Sequence, residues 1–223
     1  RVNKGRVIDT GPADLFIYPL FPKGKALHLM YHNTDDLRIR SQLPLLTPAL
    51  VLQELPASEK AAEVVTTAVD SLGLEVDVLI NNAGFGLNSS FVKSTAADEQ
   101  AVVNILVAAP MQLSHAVLPQ MVARKSGTVV NVSSVAGYFA AGHYSAAKAY
   151  VTVLTESMHA EVSKHGVNVS ALCPGFTKTE FHQRAKMKMD ALPNFMWLNA
   201  DFLVAKSWAD AQSGKAISIP GWQ

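Results

Sequence analysis

Short β-branched runs alternate with longer helical patterns along this chain, and that alternation restricts its fold more than any other feature. Asp77 to Ile80, Thr128 to Val132, Val167 to Leu172 and Ala216 to Ile219 each read as a strand. Asp98 to Arg124 and Tyr144 to Lys164 read as helices, the second ended by Gly166. Pro110 and Pro119 fall inside the first helix and are expected to bend it. Upstream, Val7-Ile8, Ala26 to Tyr31 and Ala49 to Gln53 are candidate strands, and Ser58 to Leu72 a helix with Ser58 as N-cap. Strand–helix–strand units build parallel sheets with right-handed crossovers. The expectation is an α/β fold with a Rossmann-like, doubly wound parallel sheet in a three-layer αβα sandwich, residues 1–223 forming one domain.

Composition narrows the function. Hydrophobic residues make up 49% and charged residues 17% of the chain, which suits a buried globular core and excludes disorder. A net charge of +1 offers no footing for nucleic acid or an anionic membrane. Arg184, Lys186 and Lys188 are read as a solvated face. The lone Cys173 rules out an internal disulfide and points to a reducing, cytoplasmic setting. No Cys/His cluster has metal-ligand spacing, so no metal is expected. The apolar stretch Leu15 to Phe21 is broken by Pro19 and is not read as a leader, and no run is read as a membrane span.

The chemistry concentrates around Tyr144-Ser145-Ala146-Ala147-Lys148. On a helix, Tyr144 and Lys148 are four apart and share a face. An ammonium beside a phenol favours the phenolate, so Lys148 is expected to lower the Tyr144 pKa. Such a pair can pass a proton in carbonyl–alcohol interconversion. Ser133-Ser134 stands ten to eleven residues upstream, after a strand, and Asn81-Asn82-Ala83-Gly84 follows another strand.

From about residue 76 onward the chain resembles the short-chain dehydrogenase/reductase family. The resemblance rests on DVLINNAG at Asp77 to Gly84, Asn104, GTVVNVSS at Gly127 to Ser134, YSAAK, and CPGFTKT at Cys173 to Thr179. It implies an NAD- or NADP-dependent oxidoreductase. By resemblance Tyr144 is the proton donor and acceptor, and Lys148 also bonds the nicotinamide ribose. Ser134 positions the substrate carbonyl, and Asn104 holds a water that leads from Lys148 to solvent. Asn81, Ala83 and Gly84 border the adenosine half of the cofactor, while Pro174, Gly175 and Thr179 border the nicotinamide. The helices containing Asn104 and Tyr144 would pack in a homodimer or homotetramer. Residues 180–213 hold the position of a substrate loop, and their Phe, Met and Trp content fits either a lid over an apolar substrate or packing onto the sheet or a partner subunit.

The first part of the chain departs from the family pattern. After Val7-Ile8, the glycine fingerprint TGxxxGxG reads Thr10-Gly11-Pro12-Ala13-Asp14-Leu15-Phe16-Ile17. Only Gly11 remains as a cofactor-binding glycine, and Leu15 and Ile17 replace the glycines that admit a pyrophosphate. Tyr31-His32-Asn33 does not decide between NAD and NADP. Three readings follow: an enzyme with altered cofactor binding, a non-catalytic relative acting as an oligomerising or binding subunit, or a decayed or misread N-terminal segment.

Overall fold

A computed structural model describes residues 7–9, 14–18, 26–31, 49–52, 63, 67, 75–87, 89–177 and 193–221. Among the described residues eight strands form one sheet: β1 Val7–Asp9, β2 Asp14–Tyr18, β3 Ala26–Tyr31, β4 Ala49–Leu52, β5 Glu75–Asn81, β6 Gly127–Val132, β7 Val167–Leu172 and β8 Ile217–Ser218. Their order is β1-β2-β4-β3-β5-β6-β7-β8. From β4 to β8 every neighbouring pair is parallel. With helices packed on this sheet, the fold is the Rossmann-like α/β sandwich that the strand–helix rhythm predicts. From β3 the chain crosses to β4 on one side, then to β5 on the other. The order therefore reverses between β3 and β5, the place where such sheets take ligands.

The first strand of the chain is not at that reversal. β1 pairs antiparallel with β2, and β2 pairs antiparallel with β4, so both lie at one edge of the sheet. The strand beside β5 is β3, with Tyr31 opposite Asn81. Val7-Ile8 is thus a strand as expected, at the edge of the sheet. The span Ser58 to Leu72 lies mostly outside the described residues; Glu63 and Thr67 within it are helical and exposed.

Helix α1, Ala96–Arg124, is 29 residues long. It starts earlier than expected, because Thr95 is its N-cap. The Thr95 hydroxyl accepts from the Asp98 amide at 3.1 Å and the Asp98 carboxylate accepts from the Thr95 amide at 3.3 Å. Midway, Asn104–Ala108 forms a π-helical turn, closed by the Ala109 amide donating to the Asn104 carbonyl. Pro110 follows directly and has no N–H to continue the regular ladder, which accounts for the break at this point. By length and apolar composition α1 suffices to cross a membrane, contrary to the expectation that no run does. Its buried Val102, Leu106, Leu113, Val117 and Met121 belong to the core. At its far end Arg124 donates to the Val76 carbonyl and pairs with Asp77 at 3.2 Å, fastening the helix to the start of β5.

Helix α2, Gly142–Val162, packs against β7, and α3, Ala200–Gln212, against β7 and β8. A polar seam crosses the interior. Asn81 donates to Asn131 at 2.7 Å across the β5–β6 pair, and Asn131 donates to Thr155 on α2 at 2.9 Å. Each side chain is buried, so this chain of bonds fixes where α2 lies over the sheet.

Candidate active site

Four segments converge at the ends of β5, β6 and β7. The end of β6 supplies the two serines, and they have different surroundings. Ser133 is buried, and its hydroxyl donates to the Lys148 carbonyl at 2.7 Å and lies 2.7 Å from the Thr152 hydroxyl. It clamps the strand end to α2. Ser134 instead caps a single 3-10 turn, Val135–Tyr138, by accepting from the Ala136 amide at 3.1 Å. It also acts on the Tyr144 phenol, drawing that group's pKa downward.

The turn after Ser134 is set down hard on α2. A Cβ on Gly137 would lie 2.9 Å from the Ala149 nitrogen and 3.0 Å from the Lys148 carbonyl carbon, both backbone atoms that cannot move aside. Only glycine admits this approach. The Val135 amide donates to the Pro174 carbonyl at 3.1 Å, which ties the same turn to the segment after β7.

Tyr144 stands in the first turn of α2 and packs on a cluster of Val102, Leu106 and Ala147. One turn on, Lys148 is 4% exposed and its ammonium lies 5.7 Å from the centre of the Tyr144 ring. The ammonium donates to the Val132 carbonyl at 2.7 Å. A Cβ on Gly84 would sit 3.6 Å from the Lys148 Nζ and 3.5 Å from Leu106. Asn81, Ala83, Pro110 and Lys148 line a cavity of about 10 Å³. That is room for roughly one water molecule. The Asn81 Oδ1 is buried there without a hydrogen-bond partner.

The expected lowering of the Tyr144 pKa is overturned. Burial pushes the phenol up to about 12, with the Ser134 hydrogen bond pulling weakly the other way. Burial likewise pulls Lys148 down to about 8. The ammonium is turned toward the Val132 carbonyl rather than the phenol oxygen, so desolvation outweighs attraction.

Asn104 opens the π-helical turn, and its side-chain oxygen accepts from Gln100 at 2.9 Å. Gly175 follows Pro174, and a Cβ there would meet only Leu198 at 3.8 Å, an open approach. Gly11 and Thr179 lie outside the described residues, as do residues 180–192. The strands on either side of Gly11 are β1 and β2, separated from β5 by β4 and β3. Leu15 and Ile17 stand within β2, opposite Leu52 and Leu50, in place of a glycine turn leading into a helix. The second half of the 180–213 segment contains α3, which buries Leu203 and Ala211 and exposes Phe202 and Val204.

Sequence reasoning missed His143 and Glu99. His143 Nδ1 bonds one oxygen of Glu99, and the Ser94 hydroxyl donates to the other. The signal was present only as a histidine next to Tyr144; its partner is 44 residues away.

A family model described as short chain dehydrogenase matches residues 45–190. Among curated proteins, the chain is 38% identical over 122 residues to ketoacyl reductase HetN of Nostoc sp., covering 53% of this chain and 42% of the relative. It is 36% identical over 128 residues to oxidoreductase UcpA of Escherichia coli, covering 56% and 48%. It is 31% identical over 172 residues to 2-dehydro-3-deoxy-D-gluconate 5-dehydrogenase of Formosa agariphila, covering 73% and 62%. The first two alignments thus span about half the length of those relatives. Among solved structures, a short-chain dehydrogenase from Sphingobium yanoikuyae in complex with NADPH superposes with a TM-score of 0.75 at 23% identity, over 89% of this chain and 88% of that one.

Proposed function

The chain belongs to the short-chain dehydrogenase family, and from that premise we propose that it interconverts a ketone and a secondary alcohol with NAD or NADP. The observation that carries this reading is the placing of Lys148 beneath the Tyr144 ring, 5.7 Å from its centre, on the helix that follows the Ser134 turn. When bound, the nicotinamide would supply or accept the hydride.

The chain's own residues supply the rest. With a pKa of about 12, Tyr144 stays protonated across the neutral range and serves as a proton donor to a carbonyl oxygen. Ser134 directs a second hydrogen bond at the same oxygen, where negative charge develops. Lys148 stabilises the phenolate left behind by proton transfer. Asn104, on its π-turn, is the residue we assign to a water that returns the proton. The open backbone at Gly175 and the Lys148 ammonium fit the nicotinamide-ribose half of the cofactor. The exposed Phe91, Phe139, Phe195 and Met196 support an apolar substrate. Exposed Met111 on α1, with Tyr150 and Val153 on α2, supports a homo-oligomer built on those helices.

One observation favours a second reading, a non-catalytic binding subunit: Leu15 and Ile17 of the fingerprint stretch lie in strand β2, paired between β1 and β4. Titration with NADPH and NADH, followed by nicotinamide fluorescence, separates the two. Saturable binding, with Tyr144→Phe lowering turnover of apolar ketones about a hundredfold or more at unchanged affinity, is the expected result. Unimpaired turnover in Tyr144→Phe removes Tyr144 from its role. No binding of either nucleotide makes the second reading the better one.

A further inference from the structure

The helix that carries Tyr144 begins without support from its own sequence. Its N-cap is Ala141, which makes no side-chain capping bond, and Gly142 holds a left-handed φ of 80° with nothing near its Cβ position. Ala140, Ala141 and Gly142 are all exposed. An uncapped, exposed first turn frays, because its amide donors lack partners. Yet Tyr144 stands in this turn, and proton transfer demands a fixed phenol.

The support comes from another element. Glu99 projects from α1, and both of its oxygens are engaged: one accepts from His143 Nδ1–H, the other from the Ser94 hydroxyl. The hydrogen bonds from Ser94 and then His143 hold the Glu99 carboxyl below the usual carboxylate range. Phe91 meets the His143 ring edge-on, at 6.2 Å between centroids and 83° between planes. The segment before α1 and the start of α2 are thereby joined through one carboxylate. A negative charge beside the first turn of α2 also suits the positive end of that helix.

We propose that Glu99, acting through His143, is a positioning residue that braces the first turn of α2 and so holds Tyr144 in place for proton transfer. The part concerning proton transfer rests on the function proposed above; the brace itself does not. Neither residue touches substrate in this role, so its loss lowers kcat and leaves KM alone.

The test compares Glu99→Ala, His143→Ala, the double variant and Glu99→Gln, which keeps one accepting oxygen. Amide hydrogen exchange is measured over residues 139–146, and steady-state kinetics on a ketone the wild type reduces. Either single change is expected to speed exchange in that segment and not in residues 150–160. Each lowers kcat about tenfold with KM within about twofold. The double variant loses no more than either single, since the two residues form one unit, and Glu99→Gln recovers part of the loss. Unchanged exchange in both single variants overturns the proposal, as does a double variant whose loss is the product of the two. A wild type with no turnover counts against the proposed reaction alone, and the exchange measurement then decides the brace.

Discussion

Lys148 is held under two conflicting demands. Burial disfavours its charge and brings its pKa to about 8 from an ordinary 10.5, while its place beneath the Tyr144 ring is useful only when it is charged. Below about pH 8 the folded protein carries a buried ammonium that donates to the Val132 carbonyl. Between about 8 and 10.5 the unfolded chain still binds a proton that the folded chain has released, so stability rises with pH through that window. Tyr144 acts in the opposite sense: its raised pKa makes stability fall as pH climbs from 10 to about 12. Lys148→Met is therefore expected to be more stable than wild type at pH 7, by about 2 kcal/mol after allowing for the lost Val132 bond. The advantage should shrink by pH 10, and turnover should be lost at every pH. Thermal unfolding at pH 7 and pH 10 checks this; a variant less stable at pH 7 would mean that the ammonium is well compensated in the fold.

At the scale of the elements, the serine turn and the α3–β8 junction show how local contacts hold the site and the sheet. Gly137→Ala forces a methyl group against the α2 backbone at Ala149. The turn must lift, taking Ser134 away from Tyr144, at a cost of about 1–3 kcal/mol. Turnover should fall more than nucleotide affinity, and kinetics beside a denaturant titration would show whether the two losses separate. At the other junction, Asp210 on α3 receives Lys206, Lys215 at 2.7 Å and the Ser218 hydroxyl at 2.8 Å. Burial works to raise this carboxyl, but the three hydrogen bonds outweigh it and hold it at about 2. That stabilisation is complete above the ordinary value of 3.8 and is lost as pH falls toward 2. Because Lys206 is 42% and Lys215 56% exposed, solvent screening leaves Asp210→Asn a loss of only about 1 kcal/mol at pH 7. The gap to wild type should close near pH 2. These elements also mark what the sequence made legible. The strands at Asp77, Thr128 and Val167 and the helix through Tyr144 follow from hydrophobic periodicity, and YSAAK announces the site. The Ser133–Ser134 division of labour was not legible, since it depends on which hydroxyl meets α2. Nor was the Tyr144 pKa, because burial is a property of the packed fold and not of a four-residue spacing.

Across the whole molecule, the two ends of the chain obey the family pattern unequally. The family match begins at residue 45, and the strands before it depart from the expected order. Strand β3, not Val7-Ile8, takes the place beside β5, so the fingerprint stretch that follows Val7-Ile8 lies away from the reversal in strand order. Periodicity finds a strand but does not say which neighbour it pairs with, and a one-strand misplacement carries its following loop across the sheet. This has a direct consequence for repairing the fingerprint. If Leu15 and Ile17 lay in a phosphate loop, the double change Leu15→Gly with Ile17→Gly would tighten nucleotide binding. They instead occupy β2, paired opposite Leu52 and Leu50, one strand in from the sheet edge. Glycine in a strand interior loses more chain entropy on folding, at roughly 0.5–1 kcal/mol per site. The double variant is therefore expected to lower the midpoint of thermal unfolding and to leave NADPH and NADH affinity where it was. Fluorescence titration of both proteins at matched concentration decides it: tighter binding in the variant would return residues 10–17 to the cofactor, while unchanged binding with lower stability keeps them in the sheet.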